Sequence, residues 1–543
     1  MKNLKLLLVC FFIKAFYTTC ISQQWISTYN GVTGLDNLGE DKAYAIAADL
    51  LGYTYVTGYS TGNGSGYDYA TIKYDSYGDT VWVARYNGLG NGDDVALDIV
   101  VDNSGYIYVT GYSMGIGTGY DYATIKYNSD GDSLWVVRFD GEGHSEDKAY
   151  AITVDEIGEI HITGCVTGIG SGTDYCTIKY DSNGEVIWNK VYNGTGNSED
   201  VSCGIKVDVS RNVYVTGYST ESGSNKDYTT IKYDSSGATL WVAVYNGPGN
   251  HEDKANSITL DNEGNILVTG TSRNTSSSSS QDYATVKYDT GGVQQWAARY
   301  NGTGNSVDIA YAVAIGNDNE VLVTGSSRSS WYSSSSDYAT VKYNSNGVQQ
   351  WVSRYNGTGN SVDIAYAIAV SLTDDAVFVT GSSRSTLLEG SEDMVTVKYS
   401  LSSGTQLQVS RINGPGDGED AALDIIVDDN NNVSITGYVS VGGLDNITQP
   451  DYDYATLRYA EGELINTISN NVPEGYKLYQ NYPNPFNPST TISFMLPKSD
   501  HVILKVFDAK GQEIATLLNQ RKAAGNYQVT FDAGNLSSGV YYY

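Results

Sequence analysis

Eight aspartates recur along the chain at intervals of 53 to 57 residues, each at the start of a run rich in small apolar side chains. They are Asp41, Asp94, Asp147, Asp200, Asp253, Asp308, Asp363 and Asp420. Most follow a loop of the type Asn-Gly-x-Gly-Asn. Oxygen-rich loops suit hard cations, so a ring of these carboxylates could bind Ca²⁺ or a cationic ligand. The favoured alternative is that each Asp accepts backbone N–H bonds and fixes its own loop.

A second candidate for ligand contact is the pair Trp331–Tyr332. Trp331 is the only Trp outside a slot that recurs through the chain, and the pair lies in the Ser-rich segment 326–336. An exposed Trp-Tyr pair can stack on a sugar or hold a protein partner, although it could also fold back on its own loop. Because loops carry function more often than cores do, we retain Trp331 and Tyr332 as ligand-binding candidates.

No set of residues indicates a catalytic centre, and we assign no catalytic residue. The four His are scattered and lack the spacing of metal ligands. Three Cys follow residue 22, namely Cys165, Cys176 and Cys203. Cys165 and Cys176 flank one Gly-rich turn, which fits either a cross-strand disulfide in an exported protein or buried small side chains, the favoured interpretation. The sequence implies no cofactor other than Ca²⁺ at the aspartates.

The composition is that of an acidic protein built from strands and turns. The 543 residues include 60 Gly and 47 Tyr, and only 17% are charged, a balance typical of strands joined by tight turns. The net charge is −30, and because residues 1–22 carry three Lys and no acid, the rest of the chain stands near −33. Such a charge argues against nucleic acid and anionic membrane surfaces as partners.

Residues 1–22 have the pattern of a secretory signal peptide. Lys2 and Lys5 form the positive start, residues 6–13 form the apolar stretch, and a cleavage site precedes Gln23. No other apolar run is long enough to span a bilayer. We therefore expect export of the chain.

The aspartates belong to a repeat of about 55 residues that occurs eight times. Each unit has a Trp run, an Asp-x-Ala run, a Val-Thr-Gly run and an Asp-Tyr-Ala-Thr run, all of strand character. The Trp marker stands at Trp25, Trp82, Trp135, Trp188, Trp241, Trp296 and Trp351, with Gln408 in the eighth slot. Four-stranded units of this length fit the blades of a β-propeller. The Asp-x-Ala run is richest in small residues, so we predict that it is the innermost strand.

This order of runs predicts how the ring closes. The repeat region begins with a lone Trp run at 24–30 and ends with three runs through Tyr459. We predict that the N-terminal run completes the last blade and removes its open edge. The predicted architecture is therefore all-β, with a β-propeller of eight blades over residues 23–460.

The repeat also resembles a known family. The runs Asp68-Tyr-Ala-Thr-Ile-Lys-Tyr and Trp82-Val-Ala-Arg-Tyr-Asn-Gly, with the Val-Thr-Gly run that ends at Gly111, are similar to the bacterial β-propeller repeats called SBBP. The resemblance spans roughly residues 23–460. The family's name implies seven blades, which stays an alternative to eight, and the family offers no agreed catalytic residues to carry over.

A change of composition marks a second domain. Five of the eight Pro follow residue 470, residues 461–475 form a polar linker, and the string Asn481-Tyr-Pro-Asn-Pro-Phe-Asn-Pro comes next. Residues 476–543 resemble the C-terminal sorting domain of the type IX secretion system, a small Ig-like β-sandwich. The resemblance implies contact with the type IX secretion machinery and export to the cell surface or the medium. It also implies a further strand beyond Tyr543, so we expect an incomplete domain.

These observations predict a secreted or cell-surface β-propeller for binding or display, with a glycan, a protein or matrix as its ligand. The alternative is an extracellular hydrolase or lyase that acts on polysaccharide at the channel mouth. An enzyme should carry unique polar residues there, whereas the starts of the Asp-x-Ala runs are nearly uniform. The variation lies in the loops before the Asp-Tyr-Ala-Thr runs, so we predict that this acidic face binds the ligand and that the short-turn face is passive.

Overall fold

The structure of the protein is a computed structural model. It describes residues 25–31, 39–223, 225–274, 281–328, 335–384, 392–416, 418–441, 451–459, 476–486, 488–496, 500–522, 525–534, 536 and 539–543. The predicted signal peptide (1–22), the predicted linker (461–475) and the candidate pair Trp331–Tyr332 lie outside the described residues.

The described residues form 38 β-strands and one short 3₁₀ helix, Asn317–Asn319. The strands of the repeat region are β1 Trp25–Tyr29, β2 Asp41–Ala48, β3 Thr54–Thr61, β4 Tyr67–Tyr74, β5 Thr80–Tyr86, β6 Asp94–Val101, β7 Ile107–Met114, β8 Tyr120–Tyr127, β9 Ser133–Phe139, β10 Lys148–Val154, β11 Ile160–Gly168, β12 Gly172–Tyr180, β13 Val186–Tyr192, β14 Val201–Val207, β15 Val213–Thr220, β16 Lys226–Tyr233, β17 Thr239–Tyr245, β18 Asp253–Leu260, β19 Ile266–Arg273, β20 Gln281–Tyr288, β21 Gln294–Tyr300, β22 Asp308–Ile315, β23 Val321–Arg328, β24 Ser336–Tyr343, β25 Gln349–Tyr355, β26 Asp363–Ser371, β27 Ala376–Arg384, β28 Glu392–Ser400, β29 Gln406–Ile412, β30 Ala421–Val427, β31 Val433–Ser440 and β32 Tyr452–Tyr459. The C-terminal strands are β33 Lys477–Leu478, β34 Ser489–Leu496, β35 Asp500–Asp508, β36 Glu513–Lys522, β37 Gly525–Asp532 and β38 Tyr541–Tyr542.

Strands β1 to β32 pair into eight four-stranded antiparallel sheets. Sheets 1 to 7 each take four consecutive strands, from β2–β5 to β26–β29. Their first to fourth strands are the Asp-x-Ala, Val-Thr-Gly, Asp-Tyr-Ala-Thr and Trp runs. Sheet 8 has the order β30-β31-β32-β1, with Trp25 opposite Arg458 and Tyr29 opposite Tyr454. The N-terminal strand thus completes the last sheet, and the chain is all-β.

Antiparallel pairing sorts the connections onto two faces of the sheets. The loops before each first and third strand, such as 87–93 and 62–66, lie at one end of the strands, which we call the loop face. The tight turns after each first and third strand, such as 49–53 and 75–79, lie at the opposite end, the turn face. The starts of the first strands, with their aspartates, therefore belong to the loop face.

A tyrosine of the third strand joins each sheet to the next in seven copies. Its hydroxyl donates a hydrogen bond of 3.0 to 3.3 Å to a buried third-strand carbonyl of the following sheet. The donors are Tyr69, Tyr122, Tyr175, Tyr228, Tyr283, Tyr338 and Tyr454. Tyr454 of sheet 8 donates to Ala70 of sheet 1. The first strands also contact each other in series from β2 to β30, and β30 contacts β2.

The fourth-strand Trp packs on the turn of the following sheet. Trp82 Nε1 donates to the carbonyl of Ser129 at 3.0 Å, and Lys73 Nζ donates to the same carbonyl at 2.9 Å. The ring leaves no space for a side chain at Gly131, where a Cβ would lie 2.7 Å from Trp82 Cδ2. The lysines of the third strands are thus bound to neighbouring turns, which gives them a structural role.

The C-terminal strands form two three-stranded sheets, β33-β34-β37 and β36-β35-β38. They share a hydrophobic cluster of Ile492 from β34, Leu504 and Val506 from β35, and Phe531 from β37. Two small sheets that pack through one core have the layered build expected of a β-sandwich. No helix among the described residues is long and apolar enough to cross a membrane.

Candidate functional site

All eight recurring aspartates are fully buried at the starts of the first strands. In every copy one carboxylate oxygen accepts the N–H of a Gly in the preceding loop, at 2.5 to 2.8 Å. In seven copies the other oxygen accepts a backbone N–H from the second strand or the residue after it, at 2.7 to 3.2 Å. This geometry supports the interpretation that each Asp fixes its own loop.

Burial raises the pKa of several of these carboxyl groups. It raises the pKa of Asp147, Asp200 and Asp363 to about 6, and a third-strand carboxylate of the preceding sheet adds to each rise. These neighbours stand 26 residues earlier, as Asp174 does for Asp200. These three junctions between sheets thus bring two acidic side chains of different sheets together, an arrangement that the sequence spacing alone does not reveal.

Pairs of tyrosines whose rings contact each other, one pair tilted and two edge-to-face, lie on the loop face of three consecutive sheets. The ring centroids are 4.4 Å apart for Tyr59 and Tyr67, 4.9 Å for Tyr112 and Tyr120, and 5.1 Å for Tyr438 and Tyr452. Each pair joins the end of a second strand to the start of a third strand, in sheets 1, 2 and 8 respectively. We call these six residues the tyrosine sector.

The same two positions are polar or small in sheets 5 to 7. They are occupied by Thr271 and Gln281, by Ser326 and Ser336, and by Ser382 and Glu392. The loop face is therefore not eight-fold symmetric, because aromatic rings concentrate on one side of it. Sequence reasoning missed this sector, since Tyr438 and Tyr59 are far apart in the chain and their sheets meet only where β2 of sheet 1 packs against sheet 8.

Acidic and basic groups hold the tyrosine sector in place. The hydroxyls of Tyr59 and Tyr67 both donate to Glu40, at 3.0 and 3.1 Å. Lys42 Nζ lies 4.3 Å from the ring centre of Tyr438 and 4.1 Å from that of Tyr452, within cation–π range. Ordered aromatic faces beside carboxylates can stack on sugar rings and accept hydrogen bonds from sugar hydroxyls. The chemistry of this sector therefore suits a polyhydroxylated ligand.

Two further acids break the repeat inside the first strands. Asp98 and Asp424 stand where the other copies have Ala, Gly or Ser. Asp98 Oδ2 accepts the N–H of Ile152 at 2.8 Å, and Asp424 Oδ2 accepts the N–H of Ile46 at 3.0 Å. Burial raises the pKa of Asp98 to about 6 and that of Asp424 to about 7. The comparison of aligned copies was the signal that could have found them.

The turn face carries a cleft between sheets 2 and 3. Its volume is about 450 Å³, and its walls include Asp102, Tyr106, Lys126 and Asp155. Lys126 Nζ lies 4.2 Å from the ring centre of Tyr106. Both faces thus offer aromatic rings beside charge. The turn face does so at this cleft and also where Lys73 lies over Tyr53 and Lys232 over Tyr214, and the loop face does so in the tyrosine sector.

Two segments have the Gly-x-Ser-x-Gly spacing of a nucleophile elbow, 58–62 and 111–115. Ser60 and Ser113 lie on second strands and are fully buried. Their hydroxyls accept hydrogen bonds from the guanidinium groups of Arg85 and Arg138, which cannot act as bases. The spacing therefore does not mark an activated nucleophile here.

The three described cysteines are free thiols. Cys165 and Cys176 lie on the paired strands β11 and β12, but Cys165 stands opposite Tyr175 and Cys176 opposite Gly164. Burial raises the pKa of Cys165 to about 11 and that of Cys203 to about 12. Cys165 and Cys176 are buried and Cys203 is half-buried, which agrees with the favoured interpretation for the first two.

Comparison with known proteins identifies the C-terminal part of the chain. Residues 480–543 match the secretion system C-terminal sorting domain. This type IX sorting domain indicates secretion and cell-surface localisation, and it implies contact with the secretion machinery. The match does not extend to the repeat region.

Two solved structures are distantly similar to the chain. A search of curated proteins found none that matches the chain. A solved structure of a protein of unknown function from Dyadobacter fermentans is 10% identical and covers 57% of this chain and 94% of that chain, with a TM-score of 0.35. A puromycin hydrolase is 9% identical and covers 74% of this chain and 58% of that chain, with a TM-score of 0.40. These scores are too low to support an inference about function.

Proposed function

We propose that residues 23–460 form an eight-bladed β-propeller of the SBBP type that binds an extracellular glycan through the tyrosine sector. The eight sheets, the contacts of first strands in series and the hydrogen bond from Tyr454 to Ala70 support a closed ring of eight blades. The sorting domain places the protein outside the cell, where polysaccharides are abundant partners. A protein or matrix ligand is the outcome that a negative glycan result would favour.

The asymmetry of the loop face is the observation that carries this proposal. A scaffold needs the same residues in every blade, whereas the tyrosine pairs occupy consecutive sheets and are replaced by Ser, Thr, Gln or Glu in sheets 5 to 7. Tyr67, Tyr112, Tyr120 and Tyr452 are half-buried, and the accessible part of such a ring contributes binding energy at little entropic cost. Trp331 and Tyr332 stay ligand candidates from the sequence; they belong to the segment that precedes the third strand of sheet 6.

The proposal is tested by glycan-array binding and calorimetry with the full chain and four variants. We expect Tyr67→Ala and Tyr120→Ala to lower affinity by about tenfold, since stacking of a ligand ring on an aromatic side chain is worth about 1–3 kcal/mol where the ring is a nucleic-acid base. Tyr106→Ala is the matched control, because it removes an exposed Tyr beside a Lys on the turn face. Trp331→Ala tests the sequence candidate. Binding that is lost only in Tyr106→Ala would place the ligand on the wrong face for this proposal.

Asp98 and Asp424 favour a second candidate, a hydrolase or lyase that acts on polysaccharide at the channel. A carboxyl with a pKa near 7 can serve as a general acid, and burial gives Asp424 such a value. Release of reducing ends or unsaturated products from polysaccharides, abolished by Asp424→Asn, would establish this activity. Binding without product formation would leave the first proposal standing.

A further inference from the structure

The loop before sheet 3 departs from the other repeats at two positions. Five copies have the pattern Asn-Gly-x-Gly-Asn, in which the first amide donates to the second, as Asn193 does to Asn197 at 2.7 Å. This loop has Asp140 and His144 instead, with Asp140 Oδ2 and His144 Nδ1 2.6 Å apart. A neutral amide pair is thus replaced by a carboxylate and an imidazole.

Asp140 stands beside two aspartates of the repeat, Asp121 from sheet 2 and Asp147 from sheet 3. A carboxylate oxygen from each of the three lies within 4.8 Å of one from each of the others. Oxygens on opposite sides of one Ca²⁺ are separated by about 4.8 Å, twice a Ca–O distance of about 2.4 Å. The spacing of the three carboxylates therefore fits a single Ca²⁺ ion.

Two oxygens of this cluster are buried without a hydrogen-bond donor among the described residues, namely Oδ1 of Asp121 and Oδ1 of Asp140. The counterparts of Asp121 in other sheets have the same unpaired oxygen, as in Asp174, Asp282, Asp337 and Asp453, so the unpaired oxygen of Asp140 is what distinguishes this junction. The Asp121 side chain is only 7% exposed, and its Oδ2 accepts from Arg138 at 2.8 Å. A buried charged oxygen without a partner is costly. A cation would supply the missing partner to both oxygens, while Arg138 and His144 keep their contacts with the other oxygen of each carboxylate.

The third carboxylate is compatible with the same ion. Asp147 accepts one backbone N–H at each oxygen, from Gly141 at 2.5 Å and from Thr167 at 2.8 Å. Each carboxylate oxygen has a second lone-pair site. Three carboxylates with one guanidinium leave a net charge of about −2 when His144 is neutral.

We propose that Asp121, Asp140 and Asp147 bind one Ca²⁺ ion between sheets 2 and 3 on the loop face. His144 positions Asp140 through its hydrogen bond. Because Ca²⁺ takes roughly six to eight oxygen ligands in proteins, water molecules supply the remaining ones. The proposal assigns Ca²⁺ to one junction instead of a ring of eight aspartates. It does not depend on the glycan proposal, since binding of the ion is measured without any glycan.

The test uses the full chain after treatment with EDTA, with CaCl₂ as the only added ligand. The variant Asp140→Asn with His144→Asn restores the amide pair that five other loops already contain, so we expect it to fold. Wild type should bind one Ca²⁺ per chain in calorimetry, and its Tm should rise with Ca²⁺ concentration. The variant should show neither effect, and its Tm without Ca²⁺ should equal or exceed that of wild type because a like charge is removed.

A second, independent test introduces the same residues into another loop and measures whether that loop gains a Ca²⁺ site. The loop before sheet 6 has the same surroundings. The Arg299 guanidinium pairs with Asp282 at 2.9 Å, and the Gly302 N–H donates to Asp308 at 2.7 Å. Asn301→Asp with Asn305→His should therefore create a second Ca²⁺ site there. Undiminished Ca²⁺ binding in the variant that lacks Asp140 would overturn the proposal, as would absence of binding by wild type at millimolar Ca²⁺ or a stoichiometry of eight.

Discussion

The packing of a Trp on the next sheet can be tested with two glycine substitutions in sheet 2. Gly131 and Gly105 both close tight turns in the left-handed region, at φ values of 89° and 79°. A Cβ at Gly131 would lie 2.7 Å from the Trp82 ring, whereas a Cβ at Gly105 would have no atom within 4 Å. Alanine at either position strains the backbone, but only alanine at Gly131 also displaces the ring of the neighbouring sheet.

The expected losses of stability differ for that reason. An L-residue in the left-handed region costs roughly 1–2 kcal/mol, and an extra methyl group in a packed contact costs about 1–3 kcal/mol. We expect Gly105→Ala to lower the free energy of unfolding by roughly 1–2 kcal/mol and Gly131→Ala by roughly 2–5 kcal/mol.

Urea denaturation followed by Trp fluorescence measures both values. The emission of the native state should also change in Gly131→Ala, because Trp82 must move. Equal losses of stability in the two variants, with unchanged native emission, would refute the reasoning. Such a result would mean that the fourth-strand Trp does not hold neighbouring sheets together, and it would remove one support for the proposed ring.

Three other perturbations separate structural from functional acids and check the thiols. Asp200→Ala leaves two buried backbone N–H groups without an acceptor and should cost roughly 2–5 kcal/mol, equally with and without EDTA; a cost that appears only with Ca²⁺ would favour the cation ring. The pKa of Asp98 is about 6 and that of Asp424 about 7 in the folded chain, against an ordinary value of 3.8. Between about pH 4 and pH 7 the folded chain therefore binds more protons than the unfolded chain. Stability contributed by these groups therefore falls as pH rises from about 4 to about 7, and Asp98→Asn with Asp424→Asn should flatten that part of the urea-midpoint profile; an unchanged slope would contradict the assignment. Burial raises the pKa of the Cys176 thiol, so iodoacetamide should modify it in urea and spare it in the native chain, as mass spectrometry would show.

Much of the fold is predictable because the sequence pattern of each strand recurs eight times along the chain. A single run such as Asp121 to Tyr127 is ambiguous, but its recurrence with the same turn signals identifies the four-stranded unit, and the lone Trp run at the start predicts the pairing of β1 with β32 that the structure has. The irregularity inside the first strands was not predictable in this way. The register shifts between Ala43 and Ala45, and at the same place in every other first strand, because a bulge depends on the neighbouring strand and leaves no distinct residue type behind.

The candidate sites were harder to predict because they depend on which blades are neighbours. The junction of Asp121 with Asp147 joins a third strand to the first strand of the next sheet, so the two residues meet only when sheets pack side by side. The tyrosine sector likewise joins the two ends of the repeat region. Spacing along the chain identifies what recurs, whereas the surface that meets a ligand is set by contacts between units.

The repeat itself provides the control that distinguishes packing from function. Asp147 makes the same backbone hydrogen bonds as its seven counterparts, so its recurrence is explained by the loop that each one fixes. Asp140 closes its loop through His144, but Asn closes the same loop in five other copies with an equivalent hydrogen bond, so this role does not require a carboxylate. Its carboxylate adds a third negative charge to a buried acidic pair and leaves an oxygen without a donor among the described residues. The extra negative charge of Asp140 destabilises the loop without a cation, so we expect a partner that offsets this loss of stability. A bound cation is the partner that three carboxylates at this spacing would attract.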